Sequence, residues 1–273
     1  MKKLVAIVLI WTAVVLLGVG GTHLLAGEQP FFQAARSTLA QPSAFAGMPY
    51  RMFQLAQELG LSEAQRQAIY DVIDGVLPRA REQLFTLFSN HEQLRSMTKE
   101  GKFEEDEVRG VADAQAAIIA DLIIVAIKAK HEVYGILTAQ QRTLLEQRLD
   151  SLRGGYAGGM HWPYRMFKIA QDLGITAQQR QQIYGLIDQI RPQVREYVYT
   201  LFVNHERLRA ATRDHFDEAE VRAIADAQGA IISDLIVLAM RAKAGIYAIL
   251  TPEQRTQLDQ HLAQMFGARA APR

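Results

Sequence analysis

The sequence predicts an all-α protein whose exported part is one four-helix module written twice in tandem, behind an N-terminal apolar segment. Three observations predict it. A block of roughly 100 residues recurs along the chain, the mark of a repeat architecture. Four helix-start motifs fall at equivalent places in the two blocks. The composition is rich in Ala, Leu, Gln, Arg and Ile, which favours helix over strand.

The repeat is read directly. Pro49-Tyr50-Arg51-Met52-Phe53 returns as Pro163-Tyr164-Arg165-Met166-Phe167, Asn90-His91-Glu92 as Asn204-His205-Glu206, and Ala112-Asp113-Ala114-Gln115 as Ala225-Asp226-Ala227-Gln228. The first copy spans 49–152 and the second 163–266. One residue is lost from the second copy near Gly101, as a hairpin turn tolerates best. The joint at 153–162 holds four glycines and reads as flexible. Residues 267–273 form a tail.

Within each copy every element reads as helix. In the first, a short helix covers 49–58 and stops at Gly60. A second runs from Ser62 to about Met97, a third from about Glu104 to Leu137, and a fourth from Thr138 to about Leu152. The starts are capping boxes: Ser62 with Gln65, Thr138 with Gln141, Thr176 with Gln179 and Thr251 with Gln254. In such a box the hydroxyl accepts from the backbone N–H three residues on, and the glutamine reaches back to the cap. Leu61, Leu137, Ile175 and Leu250 precede the caps, where a hydrophobic staple belongs. Pro252 sits at the first helical position, where its missing N–H costs nothing.

The second helix carries an apolar stripe at Leu84, Leu87, Phe88, His91 and Leu94, spaced by threes and fours. Pro78 and Pro192 fall mid-helix, where a kink is expected. The third helix is apolar on several sides through Ile118, Ile119, Leu122, Ile123, Ile124, Val125 and Ile127, so it must be covered all round or meet another subunit. A single copy has a thin core. Pairing of one repeat with the other, or a homodimer, would bury what each leaves bare.

Lys2 and Lys3 precede an apolar run from Leu4 to about Val19. This is the layout of a signal peptide or a transmembrane anchor at 1–27. The run falls between a signal core and a full span in length. We read it as an uncleaved anchor with its lysines in the cytoplasm and the rest exported. Cleavage and secretion is the alternative. Residues 28–48 lack a sustained period and read as a tether.

Several function classes are excluded. The net charge of +1 provides no footprint for nucleic acid. With no cysteine, disulfides, thiolate catalysis and Cys-ligated metal sites fall away. No nucleophile with its base, glycine phosphate loop or isolated carboxylate pair is present, so no enzyme and no cofactor is expected. His91 and His205 match between copies and are the only candidates for Zn, Cu or Ni, alone with Glu92 and Glu206 or joined across a twofold. A buried histidine bonded to a neighbouring helix is the simpler reading. Asp121 and Asp234, on the most apolar helix, need cationic partners; Arg81 or Arg95, and Arg195 or Arg209, are the expected ones.

The paired L-[ST]-x-x-Q motifs, with Phe216-Asp217-Glu218-Ala219-Glu220-Val221 and Leu250-Thr251-Pro252-Glu253-Gln254-Arg255, resemble the LTxxQ signature of the Spy/CpxP family of periplasmic proteins and its ZraP-like and CnrX-like metal-binding relatives. The resemblance covers both copies. It implies a bent helical hairpin, antiparallel pairing into a curved cradle, and ATP-independent holding of unfolded or partly folded envelope proteins. Phe85, Phe88, Arg95, Tyr199, Phe202 and Arg209 would then line the client face, with core packing as the alternative. Family members usually carry one copy and a cleaved signal. The anchored metal sensors of the CnrX-like branch, or an adaptor of an envelope signalling system, are the alternatives in function. The expected location is the periplasm, tethered to the inner membrane.

Overall fold

A computed structural model describes residues 56–98, 102–154, 171–211 and 216–267. The N-terminal segment, the tether, the opening of each copy's short first helix, most of the glycine joint and the tail lie outside the described residues. All regular structure among the described residues is helical. The elements are α1 (Glu63–Met97), α2 (Glu105–Ile136), α3 (Ala139–Gly154), α4 (Ala177–Ala211), α5 (Glu218–Ile249) and α6 (Pro252–Gly267). Helix α3 runs two residues beyond the Leu152 that the sequence suggests. Pro78 and Pro192 lie inside α1 and α4, which continue past them.

Each copy's first helix is closed by a glycine. Gly60 and Gly174 both take φ of 59°, a left-handed conformation that costs a residue with a Cβ about 1 kcal/mol or more. Gly60 N–H donates to Gln57 O at 3.0 Å and Gly174 N–H to Gln171 O at 3.0 Å, which turns the chain into the next cap. Helix α5 opens differently: the Asp217 carboxylate accepts from Ala219 N–H at 2.8 Å and Glu220 N–H at 3.2 Å. At the start of α2, Glu105, Asp106 and Glu107 complement the helix dipole instead.

The long helices of each copy form a hairpin, α1 on α2 and α4 on α5, and the two hairpins meet through α2 and α5. That central pair is antiparallel. Arg241 near the end of α5 meets Glu105 at the start of α2, and Lys128 near the end of α2 lies 3.8 Å from Glu218 at the start of α5. Arg109 bonds Asp234 at 2.9 Å, and its counterpart Arg222 lies 3.7 Å from Asp121. Because equivalent residues exchange roles, the chain makes within itself the isologous contact that two separate subunits make in a twofold dimer.

Small residues let the central helices approach. Ala112, Ala116 and Ala120 on α2 recur four apart, as do Ala225, Gly229 and Ser233 on α5, so each set forms one narrow stripe. A Cβ on Gly229 would stand 3.1 Å from the Ala116 carbonyl oxygen. Ser233 Oγ donates to the Asp113 carboxylate across the same seam. Around this crossing, Ile119, Leu122, Ile123, Ile127, Ile224, Ile232, Leu235 and Ile236 join Leu87, Leu94, Leu201 and Leu208 in one core drawn from both copies.

Helices α2 and α5 are long and apolar enough to cross a membrane, with mean hydropathy of 1.9 and 1.6 in their richest stretches. Over half of each stretch is buried against the rest of the protein. Being apolar on several sides suits a helix with neighbours on both flanks.

The partners expected for the two aspartates need correction. Asp121 is held by Arg79 at 3.0 Å, by Gln83 and by Arg222 of the other copy. Asp234 is held by Arg109 of the other copy and by Tyr197 Oη at 2.9 Å. Arg81, Arg95, Arg195 and Arg209 are not the partners. The expected partners lie within a hairpin, whereas two of the three arginines, Arg109 and Arg222, come from across the central seam. Both carboxylates are about a third exposed, at 35% and 36%, so each pair contributes no more than about 1 kcal/mol.

Candidate functional site: paired amide locks and an exposed aromatic face

The four capping boxes assemble into two locks. In the first copy, Gln65 N–H donates to Ser62 Oγ at 3.2 Å while Ser62 N–H donates to Gln65 Oε1 at 3.0 Å. Gln141 N–H and Thr138 N–H do the same at 3.3 and 2.9 Å. The two glutamines then face each other. Gln65 Nε2 donates to Gln141 Oε1 at 2.9 Å, and Gln141 Nε2 donates back to Gln65 Oε1 at 3.3 Å. The remaining amide hydrogens reach the chain ends nearby: Gln65 Nε2 to Ile136 O at 2.9 Å, and Gln141 Nε2 to Leu59 O at 3.0 Å.

This arrangement explains the residue type. An amide has two donor hydrogens and an oxygen with two lone pairs, and here all are used. Glutamate cannot donate, and asparagine lacks a methylene of reach. The second copy repeats the lock. Gln179 Nε2 bonds Ile249 O at 3.0 Å and Gln254 Oε1 at 2.8 Å, and Gln254 Nε2 bonds Leu173 O at 3.2 Å and Gln179 Oε1 at 3.3 Å. The following arginines add to it: Arg142 Nε donates to Leu137 O at 3.1 Å and Arg255 Nε to Leu250 O at 3.0 Å. Each cap is legible in the sequence, whereas the glutamine pair and the arginine contacts are not. The available signal is that both boxes of a copy carry Gln, followed in each case by Arg.

The locks fix where the long helices point, and with them the outer face of α4. That face presents Tyr199, Phe202 and Val203, with Tyr199 68% and Phe202 59% exposed. They stand three and four residues apart, on one side of the helix. Tyr184, two turns before Pro192, is also exposed. On α1, Phe85 is 45% exposed. Phe88, taken from the sequence as a client-face residue, is instead buried in the core at 8%. It belongs to the Leu84–Leu94 stripe that packs inward. Arg95 is half-buried and Arg209 is exposed, 3.7 Å from Glu206. The six candidates therefore do not form one surface; Tyr199 and Phe202 do, joined by Val203, which the sequence reading passed over.

The histidines separate. His91 rides on α1 and His205 on α4, the outer helices of different hairpins. No cluster of three potential metal ligands exists among the described residues. His131, read as incidental, stacks on Phe216 of the other copy at 5.4 Å. Burial pushes the His91 imidazole below its ordinary 6.5, assisted by Arg95 and Lys243 against the opposing pull of Glu92. A lowered pKa means the unfolded chain binds the proton first. Stability is therefore full above pH 6.5 and falls as the pH drops through 6.5 toward the folded value. Denaturant melts at stepped pH should show this loss in the parent and a smaller one in His91→Gln; an identical pH slope in both would contradict the assignment.

A sequence profile described as LTXXQ motif family protein matches residues 48–149 and 160–262, well over half of the chain. Proteins of that family are generally periplasmic. No curated protein and no solved structure matches the chain. The two matched blocks are the two hairpins with their locks, so the chain belongs to the LTXXQ motif family and carries its domain twice.

Proposed function

We propose that this protein is an ATP-independent periplasmic chaperone of the envelope-stress type, tethered at its N-terminus, that holds unfolded or partly folded proteins against the outer face of α4. The observation that carries this reading is the exposed cluster of Tyr199, Phe202 and Val203 on a helix whose position is set by the locks and by packing on α5. Large aromatic side chains left in water on one side of a rigid helix mark an interaction site. Their neighbours Arg195, Glu196, Glu206 and Arg209 are exposed and of both signs, which suits contact with varied sequences. Each client aromatic stacked on Tyr199 or Phe202 gains about 0.5–1.5 kcal/mol beyond the apolar area it buries.

The test is aggregation of a guanidinium-unfolded enzyme diluted into buffer, followed by light scattering, with the full-length chain in nanodiscs. Suppression at stoichiometric amounts is expected, and a clear loss of it with Tyr199→Ser and Phe202→Ser together. Absence of suppression by the parent, or full suppression by the double variant, would overturn the proposal.

A further inference from the structure

The same outer face carries a pattern that client capture does not need. On a helix turning 100° per residue, Arg195, Tyr199, Phe202 and Glu206 lie within about 60° of arc. All four are exposed. They are also symmetric along the helix: the point midway between Tyr199 and Phe202 is the point midway between Arg195 and Glu206. Two such helices laid antiparallel about that point bring Tyr199 of each against Phe202 of the other, and Arg195 of each against Glu206 of the other.

We propose that α4 is the contact surface of a homodimer, formed by a second copy of this chain through an isologous α4–α4 pairing. The opposite charges at the two ends of the patch favour the antiparallel direction and penalise the parallel one, in which like charges would meet. Helix α1, the equivalent in the other copy, is the poorer face: Phe88 is buried where Phe202 is exposed, and Ser89 stands where Val203 does. The pairing is distinct from the α2–α5 seam, which one chain satisfies by itself. Two helix faces of this length bury less than the roughly 1,600 Å² of a standard stable interface. The dimer is therefore weak and concentration-dependent, and a client that needs the aromatic face competes with the second copy for it.

The test is sedimentation equilibrium of the full-length chain in density-matched detergent, over micromolar to hundreds of micromolar protein, with far-UV circular dichroism as a check on folding. A monomer–dimer equilibrium is expected. Phe202→Asp should weaken it at least tenfold, and Arg195→Glu should weaken it several-fold. The double variant Arg195→Glu with Glu206→Arg should restore it, which a merely unfolded protein would not do. A chain that stays monomeric throughout, a dimer untouched by Phe202→Asp, or a double variant no better than Arg195→Glu would overturn the proposal. No client enters this measurement, so its failure leaves the chaperone reading standing, and the scattering test can fail while the dimer stands.

Discussion

Gln141→Ala is expected to lower the unfolding free energy by about 2–3 kcal/mol, combining a lost cap with carbonyl and amide groups left unpaired. For a protein of this size that corresponds to a fall in Tm of about 5–10 °C. The reason is that Gln141 serves four groups at once: Thr138 N–H, Gln65 Oε1, Gln65 Nε2 and Leu59 O. A single cap loss on an exposed helix would cost less. Gln141→Glu separates the roles. The carboxylate still accepts from Thr138 N–H and Gln65 Nε2, but it has no hydrogen for Leu59 O and sets a negative charge against Gln65 Oε1. Protonation restores one donor, so the deficit relative to the parent should shrink as the pH falls from 7 toward about 4. Differential scanning calorimetry at the two pH values checks both variants. An alanine variant as stable as the parent would remove the lock as the device that orients the helices.

The second large effect is expected at the seam between copies. Gly229→Leu forces a side chain into a crossing where even a Cβ stands 3.1 Å from the Ala116 carbonyl oxygen and 3.6 Å from Ala120 Cβ. Backbone cannot yield as a flexible side chain can, so a cost of about 3 kcal/mol is expected. Gly229→Ala is the control. Alanine gains about 1 kcal/mol of helix propensity, set against a contact tight by a few tenths of an ångström, so the net change should be small. Because this crossing joins the two hairpins, the leucine variant should also expose apolar surface from both copies, read as increased binding of an apolar dye. Equal melting curves for Gly229→Leu and the parent would contradict the close approach of α2 and α5.

The helices and their starts were legible in the sequence because their causes are local. A cap hydroxyl, a glutamine three residues on and a preceding apolar residue lie within five positions, and before Ser62 and Thr176 a glycine closes the preceding helix. The duplication was legible because identical side chains recur in order. What remained hidden is what depends on apposition. Gln65 and Gln141 are far apart in the chain, and nothing local says that two separate caps share one pair of amides. Two of the three aspartate partners are hidden for the same reason: Arg109 and Arg222 reach Asp234 and Asp121 only once the copies are laid antiparallel, whereas Arg79 comes from Asp121's own hairpin. Phe88 and Phe202 hold the same place in the repeat, yet one is core and one is surface. A pattern of threes and fours identifies a stripe but not how wide a neighbour covers it. Gly229 carries no local signal in the sequence; what sets it apart is the Ala116 carbonyl oxygen 3.1 Å from where its Cβ would stand.

Everything proposed for α4 depends on the two hairpins closing on each other within one chain, since that closure supplies the core under the outer helices. The chain has no cysteine, so a single engineered pair reports without background. Asp113 and Ser233 are short side chains in hydrogen-bond contact across the seam. Asp113→Cys with Ser233→Cys, in the full-length chain under mild oxidation, should form an intramolecular disulfide: faster migration on a non-reducing gel at unchanged mass. Free thiols, or a link found only between two chains at doubled mass, would show that the copies do not pair as described.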